Sequence, residues 1–257
     1  MYRITCRVQG RRLVLDIHEQ SVFVPNLMSW FTAAHMRVAP GETFCDVGLG
    51  SGLHALLAAK LGARQVYGTD INPVALRFAR RNARLNGVAD RCRFFLGDLT
   101  RPLLRRGLRV DAVIYNAPQF PGRLVPPGIP PRLRDSVNGG RDGSRLNVRF
   151  LREVGPALLP RGRVYSPLVG WSAPARSLAA IREGGFRCRR LAQADIPPWG
   201  RGNRTRAWFL EHPGRHVLTF APGSSATARA WLLELRLGAG ARAAARKPSR
   251  VEVDFTC

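Results

Sequence analysis

Short apolar runs alternate along most of the chain with longer segments whose apolar positions recur every three or four residues. The runs at residues 43–47, 65–69, 92–96, 110–115, 163–169, 186–192 and 206–211 read as strands. Between most of them, residues 53–61, 73–85, 145–158 and 173–183 carry helical spacing. This alternation predicts an α/β fold, a doubly wound, seven-stranded, mainly parallel sheet with helices on both faces. Such a sheet binds ligands at the carboxyl ends of its strands.

Both ends of the chain depart from that rhythm. Ile4, Cys6 and Val8 alternate before a turn at Gln9-Gly10, and Leu13, Leu15 and Ile17 alternate after it, the pattern of a hairpin. Pro25-Asn26 then opens a helix over residues 27–36. Beyond residue 212 the pattern predicts a strand at 217–220, a helix at 226–237 and a short strand at 251–255, with an Ala-, Gly- and Arg-rich linker composition over 238–250. The expected organisation is a hairpin over residues 1–20, a main domain over 21–212 and a C-terminal extension over 213–257. The strands of the extension are expected to pair with the hairpin as small terminal β additions. A chain of 257 residues buries one good core and not two.

Candidate chemistry gathers at the predicted strand ends. The first core strand runs into Asp46-Val47-Gly48-Leu49-Gly50-Ser51-Gly52, where three glycines bring the backbone and a helix N-terminus close to a ligand. The second strand ends at Asp70, placed to accept the two hydroxyls of a ribose. The third ends at Asp98, placed to accept from an adenine amino group. An isolated Asp here caps a helix or closes a turn. Three at consecutive strand ends behind one glycine loop indicate a nucleoside cofactor. The glycine spacing differs from the G-x-G-x-x-G of dinucleotide enzymes, which leaves a nicotinamide oxidoreductase as the weaker enzyme reading.

The pattern D-x-G-x-G-x-G resembles the first motif of class I S-adenosylmethionine-dependent methyltransferases. That resemblance implies S-adenosyl-L-methionine as cofactor, with Asp46, Gly48, Gly50 and Gly52 at its methionine end, Asp70 and Ile71 at its ribose, and Asp98 and Leu99 at its adenine. The fourth strand runs into Asn116-Ala117-Pro118-Gln119-Phe120, which resembles the Asn-Pro-Pro-aromatic motif of methyltransferases acting on planar nitrogens. The resemblance assigns Asn116 to both cofactor and acceptor and places Pro118 and Gln119 beside it in the catalytic group. Here Ala117 replaces the first proline and Gln119 the aromatic. Asn138-Gly139-Gly140-Arg141-Asp142-Gly143 closes a proline-rich stretch, a candidate substrate lid, and its ending is similar to that of HemK-type glutamine methyltransferases. The likeness covers residues 21–211. The helical N-terminal substrate domain of the release-factor enzymes has no counterpart in the forty residues headed by the hairpin.

Charge widens the choice of partner. The formal net charge is +24, from 41 basic residues, of which only Lys60 and Lys247 are lysines, against 17 acidic ones. A GC-rich coding sequence inflates arginine, and an anionic partner selects for it. Arg77, Arg80, Arg81 and Arg84 form one basic helical stripe, and Arg145, Arg149 and Arg152 form another. The acceptor is expected to be a protein side chain or a small molecule, with an anionic character allowed. An RNA or DNA base is the alternative, and a cofactor-binding relative without catalysis a further one. Five dispersed cysteines with no Cys-x-x-Cys pair signal neither disulfides nor a metal site. No apolar run is long enough to span a bilayer, and the expected location is cytoplasmic.

Overall fold

The computed structural model describes residues 1–122, 125, 129–196 and 228–238. Strands β1 (Tyr2–Val8) and β2 (Arg11–Ile17) form an antiparallel hairpin, followed by α1 (Leu27–His35). The alternating core follows as β3 (Thr43–Val47), α2 (Leu53–Leu61), β4 (Gln65–Asp70), α3 (Pro73–Leu85), β5 (Cys92–Leu96), α4 (Arg101–Leu104) and β6 (Val110–Tyr115). Past the proline-rich segment come α5 (Arg145–Glu153), β7 (Leu158–Val169), α6 (Pro174–Glu183), β8 (Phe186–Ile196) and β9 (Ala228–Leu237).

The sheet has seven strands in the order β5-β4-β3-β6-β7-β9-β8. Strands β3 to β7 are mutually parallel, and β9 runs antiparallel to both of its neighbours. From β3 the chain winds outward through β4 and β5, then returns to the other side of β3 as β6. That reversal opens a crevice beyond the carboxyl ends of β3 and β6, the place where open α/β sheets take ligands. Both faces are covered. Hairpin, α1, α2 and α3 side chains share one core cluster, which includes Leu13, Leu15, Ile17, Phe31, Leu56 and Leu57. Phe150, Leu151 and Ile181 of α5 and α6 pack with Val113 and Val164 in the other.

Two boundaries differ from the sequence pattern. Residues 226–237 were expected to be helical, yet Ala228–Leu237 is a strand between β7 and β8. Its Ala, Leu, Glu and Arg favour helices, and a strand buried on both faces shows no alternation that would reveal it. The sheet thus extends past residue 212. The helix expected over 145–158 stops at Glu153, and β7 starts at Leu158. The strands expected at 206–211, 217–220 and 251–255, and all but the first residue of the 238–250 linker, lie outside the described residues. Within the described residues, β9 pairs with the main sheet and not with the hairpin.

The hairpin is fastened by two asparagines of α3. Asn82 accepts from Asp16 N–H at 2.8 Å and donates to Asp16 C=O at 3.1 Å. One turn later, Asn86 does the same for Val14 at 3.0 and 2.7 Å. Four helical residues advance about 6 Å, and two strand residues about 6.8 Å, so side chains at i and i+4 reach alternate residues of a strand. The two amides stand in for a neighbouring strand along the free edge of β2. Asn82 also donates to Ser51 C=O at 2.9 Å, which ties the hairpin to the glycine loop.

Candidate functional site

The glycine loop leaves β3 under the carboxyl end of β4. Gly48 and Leu49 N–H both donate to Thr69 C=O, at 2.9 and 3.1 Å. Gly48 has a φ of +71°, a backbone conformation that favours glycine, and a Cβ there would touch the Tyr115 ring at an ordinary contact distance of 3.4 Å. Gly52, also at positive φ, is the N-cap of α2, whose first turn points into the loop. Asp46 is buried behind it, with one oxygen accepting from Ala55 N–H at 3.0 Å and the other lacking any hydrogen bond. Burial raises its pKa, opposed by His54 and the Ala55 amide.

Asp70 closes β4 with one oxygen on Gly50 N–H (2.9 Å) and the other on Asn72 N–H (2.8 Å). Each oxygen keeps a second lone pair for a ligand. Burial again raises the carboxyl, against the pull of those backbone donors. Ile71, next to it, is 64% exposed, and Leu96 at the end of β5 is 58% exposed, so two large apolar side chains stand open at neighbouring strand ends. Asp98 pairs with Arg149 and, at 3.4 Å, with Arg101, both through the same oxygen. Its other oxygen stays available. The Leu99 side chain lies in the core, and its carbonyl accepts from Thr69 Oγ1 at 2.7 Å.

These features suit S-adenosylmethionine. A buried carboxylate oxygen without a hydrogen bond, 3.8 Å from His54 Nδ1, sits below the loop, a glycine loop lines the crevice, a carboxylate with spare lone pairs suits a diol, and Ile71 offers an apolar surface to a flat ring. Asp46, the glycine loop, Asp70, Ile71 and Asp98 are thereby brought to one end of the sheet, whereas Leu99 reaches it by its main chain alone.

Asn116 follows β6 on the other side of the crevice. Its Nδ2 donates to Ser29 Oγ at 3.1 Å. Ser29 belongs to the capping box of α1, in which its hydroxyl donates to Asn26 Oδ1 and accepts from Asn26 N–H, each at 3.2 Å. The single hydroxyl proton is spent on Asn26, so Ser29 presents only a lone pair to Asn116 and fixes which way its amide faces. Asn116 Oδ1 accepts from no described residue and is left for a ligand. His54 extends this framework, with Nε2 3.1 Å from Ser29 C=O and Nδ1 3.8 Å from Asp46.

Gln119, grouped with the catalytic residues in the sequence, points inward instead. Its Nε2 donates to Pro167 C=O at 2.9 Å and its Oε1 accepts from Ser172 Oγ at 3.1 Å. Phe120 stacks on Trp171, with ring centroids 5.3 Å apart. Pro118 lies half-buried between them and Asn116. The glycines of the lid motif hold this turn: Phe120 N–H donates to Val137 C=O and Gly139 N–H to Phe120 C=O, and a Cβ on Gly143 would lie 2.4 Å from the Gln119 carbonyl oxygen. Burial pushes the Tyr115 hydroxyl well above its ordinary pKa and keeps it protonated. Among the described residues no group of His, Cys, Asp and Glu could hold a metal, and no helix is long and apolar enough to cross a membrane.

Sequence reasoning missed Ser29 and His54. The start of this helix was visible at Pro25-Asn26, but the contact of Ser29 with Asn116 spans 87 positions and leaves no local signal. The arginine stripes also resolve. On α5, Arg149 and Arg152 are spent on Asp98, Glu153 and Glu183.

Residues 29–117 match the ribosomal protein L11 methyltransferase (PrmA) family. The release factor glutamine methyltransferase of Moorella thermoacetica is 40% identical over 141 residues, 52% of this chain and 48% of that protein. The chain therefore spans about half the length of that relative. A Methanocaldococcus jannaschii protein, provisionally named a protein N5-glutamine methyltransferase, is 30% identical over 71% of this chain and 89% of its own length. Among solved structures, the ribosomal protein L11 methylase of Lactobacillus delbrueckii subsp. bulgaricus aligns with a TM-score of 0.53 at 17% identity, over 82% of this chain and 80% of that one. A tRNA methyltransferase of M. jannaschii aligns at 0.56 and 15% identity, over 92% and 57%. Fold, glycine loop and relatives agree: the chain belongs to the class I S-adenosylmethionine-dependent methyltransferases, in the group that holds the PrmA-type and N5-glutamine enzymes, and S-adenosylmethionine is its cofactor.

Proposed function

We propose that this chain methylates a planar nitrogen of a protein side chain or a small molecule, an amide nitrogen foremost. The carrying observation is the orientation of Asn116, whose Nδ2 is held by Ser29 while Oδ1 stays free to accept. An amide nitrogen is a poor nucleophile because its lone pair is delocalised. Its two N–H bonds are therefore the handles by which it can be aimed. Asn116 Oδ1 accepts one, and a main-chain carbonyl of the 116–118 turn accepts the other.

The cofactor, when bound, supplies an electrophilic methyl on a sulfonium. This chain holds the acceptor nitrogen in line with that methyl, so that the nitrogen–carbon bond forms as the sulfur–carbon bond breaks. The surplus proton on nitrogen then leaves to solvent. Positioning supplies most of the acceleration, and Tyr115, kept as a phenol, is no base at neutral pH. The names of the glutamine-modifying relatives support the amide reading. The same two acceptors suit an exocyclic base amine, and the basic balance of the chain favours this second reading of the substrate.

Incubation of the protein with methyl-labelled cofactor and a fractionated extract tests the proposal. Label is expected in protein or small molecules. Label in RNA or DNA moves the acceptor to the second reading. Cofactor binding without transfer to any fraction indicates the non-catalytic alternative, and binding of NAD in place of S-adenosylhomocysteine overturns the reading altogether.

A further inference from the structure

An open cleft lies at the far end of helix α2, away from the glycine loop. Helix α2 starts in that loop, and Lys60 is about 12 Å along it. There the hairpin turn, the end of α2 and the loop after α3 enclose an open cleft of about 420 Å³, lined by Arg11, Arg12, Lys60, Asn86 and Arg91 among others. Among the described residues no carboxylate lines it. Both α2 and α3 end toward the cleft, and their carbonyls contribute roughly half a negative charge each. Arg91 answers α2 by donating to Ala59 C=O at 2.9 Å. Arg11, Arg12 and Lys60 remain in excess.

Among the described residues no carboxylate forms an ion pair with these cations, while others are paired. Arg3 and Arg81 share Asp16, Arg152 holds Glu183 and Arg163 holds Glu42. Arg12 instead stands directly across the hairpin from Arg7, both exposed. Like charges in that position destabilise a strand pair. A ligand with closely spaced negative charges relieves this repulsion, and guanidinium groups take phosphate through two parallel hydrogen bonds. Among the described residues no aromatic side chain lines the cleft, and none offers a platform for stacked bases. Recognition would fall on the backbone and be indifferent to base sequence.

We propose that this cleft is a docking site for the phosphodiester backbone of a nucleic acid, held at the end of the sheet opposite the cofactor. The proposal does not depend on which atom is methylated. A nucleic acid docked here is either the substrate or the scaffold that presents it.

The test is fluorescence anisotropy of the full chain with a labelled single-stranded RNA, a DNA of the same sequence and a polyglutamate peptide, across a salt series. The expected result is nucleic-acid binding that weakens with salt. The triple variant Arg11→Ala/Arg12→Ala/Lys60→Ala should lose affinity at least about tenfold and flatten the salt slope by roughly two, from −0.7 per neutralised phosphate. Arg11→Lys/Arg12→Lys should retain the slope. Arg105, Arg109 and Arg182 are exposed and lie outside the cleft, so Arg105→Ala/Arg109→Ala/Arg182→Ala removes the same charge elsewhere as a control. Comparable RNA and DNA affinity assigns the shared backbone, and preference for RNA names that source. Three results overturn the proposal: no binding, equal loss in both triple variants, or polyglutamate competing as well as RNA. Unchanged S-adenosylhomocysteine affinity and a thermal midpoint no lower than that of the wild type show that each variant is folded.

Discussion

Replacing Asn82 by alanine probes the fastening of the hairpin most directly. The side chain is fully buried and serves three main-chain groups, Asp16 N–H, Asp16 C=O and Ser51 C=O. Leaving a buried backbone group unsatisfied costs about 1–3 kcal/mol. Three such groups, partly relieved by water entering at the hairpin, put the cost of Asn82→Ala at about 3 kcal/mol. In a chain of this size that lowers the melting temperature by roughly 6–12 °C. Asn82→Asp keeps the acceptor for Asp16 N–H but turns a carboxylate oxygen toward two carbonyls, and should be at least as damaging. Asn86→Ala is the internal comparison, since Asn86 also serves Val14 on both sides but lies nearer solvent, and its effect should be smaller. Urea and thermal unfolding followed by near-ultraviolet circular dichroism measure all three. Because Ser51 belongs to the glycine loop, Asn82→Ala should also weaken S-adenosylhomocysteine binding. An Asn82→Ala protein within about 1 kcal/mol of wild type, the floor for one orphaned group, would refute the edge-covering role.

Other perturbations separate the parts of the site. Asp70→Ala removes the acceptor of two backbone donors and the carboxylate proposed to receive the cofactor diol, and should weaken S-adenosylhomocysteine binding about 10- to 100-fold by calorimetry. Burial holds the Asp70 carboxyl above its usual range, and the ionised form is the one that accepts hydroxyls, so cofactor affinity should fall as pH drops through that raised pKa. The same titration with Asp70→Asn should lose the part of that dependence that Asp70 contributes, leaving only that of Asp46. Ser29→Ala releases the Asn116 amide without touching the cofactor carboxylates, so kcat should fall about tenfold with cofactor affinity unchanged. Equal kcat in that variant removes Ser29 from the positioning framework. Arg3 and Arg81 hold the Asp16 carboxyl down at about 2. The stability it contributes is therefore complete above its unfolded pKa of about 3.9 and is lost as pH falls toward 2, a loss that Asp16→Asn should abolish in an acid-unfolding series.

The parts of the site that the sequence disclosed are those whose chemistry is local. Asp46 stands one residue before the end of β3, Asp70 ends β4 and Asp98 follows β5 by two residues, and a strand end is marked by its own apolar run and the turn that follows. The glycines of the loop are read the same way, since a positive φ and a close approach are demands on one residue. Ser29 carries no such mark: it satisfies a helix cap as any serine would, and only the folded chain brings it to Asn116. Gln119 looked like a change at the acceptor because the motif places an aromatic there. Its amide is spent on Pro167 and Ser172, and the ring next in sequence, Phe120, stacks on Trp171. Strand β9 escaped because helix-favouring residues lie in a position buried on both faces, where tertiary contacts outweigh propensity. The early start of β7 was masked by Pro160, Arg161 and Gly162, a sequence that reads as a break, with Arg161 at a φ of +69° inside the strand.

The position of β9 also sets the timetable of assembly. Its residues are translated last among those of the sheet, yet they stand between two strands made earlier. From the emergence of β8 until residue 237 leaves the ribosome, β7 and β8 each present an unpaired edge toward the gap that β9 will fill. At about 5–20 residues per second this interval lasts roughly 2–8 s, long enough for a neighbouring nascent chain to add a strand of its own. A nascent chain stalled short of residue 228 would therefore be an aggregation hazard, even though its cofactor loop and Asn116 had already been synthesised.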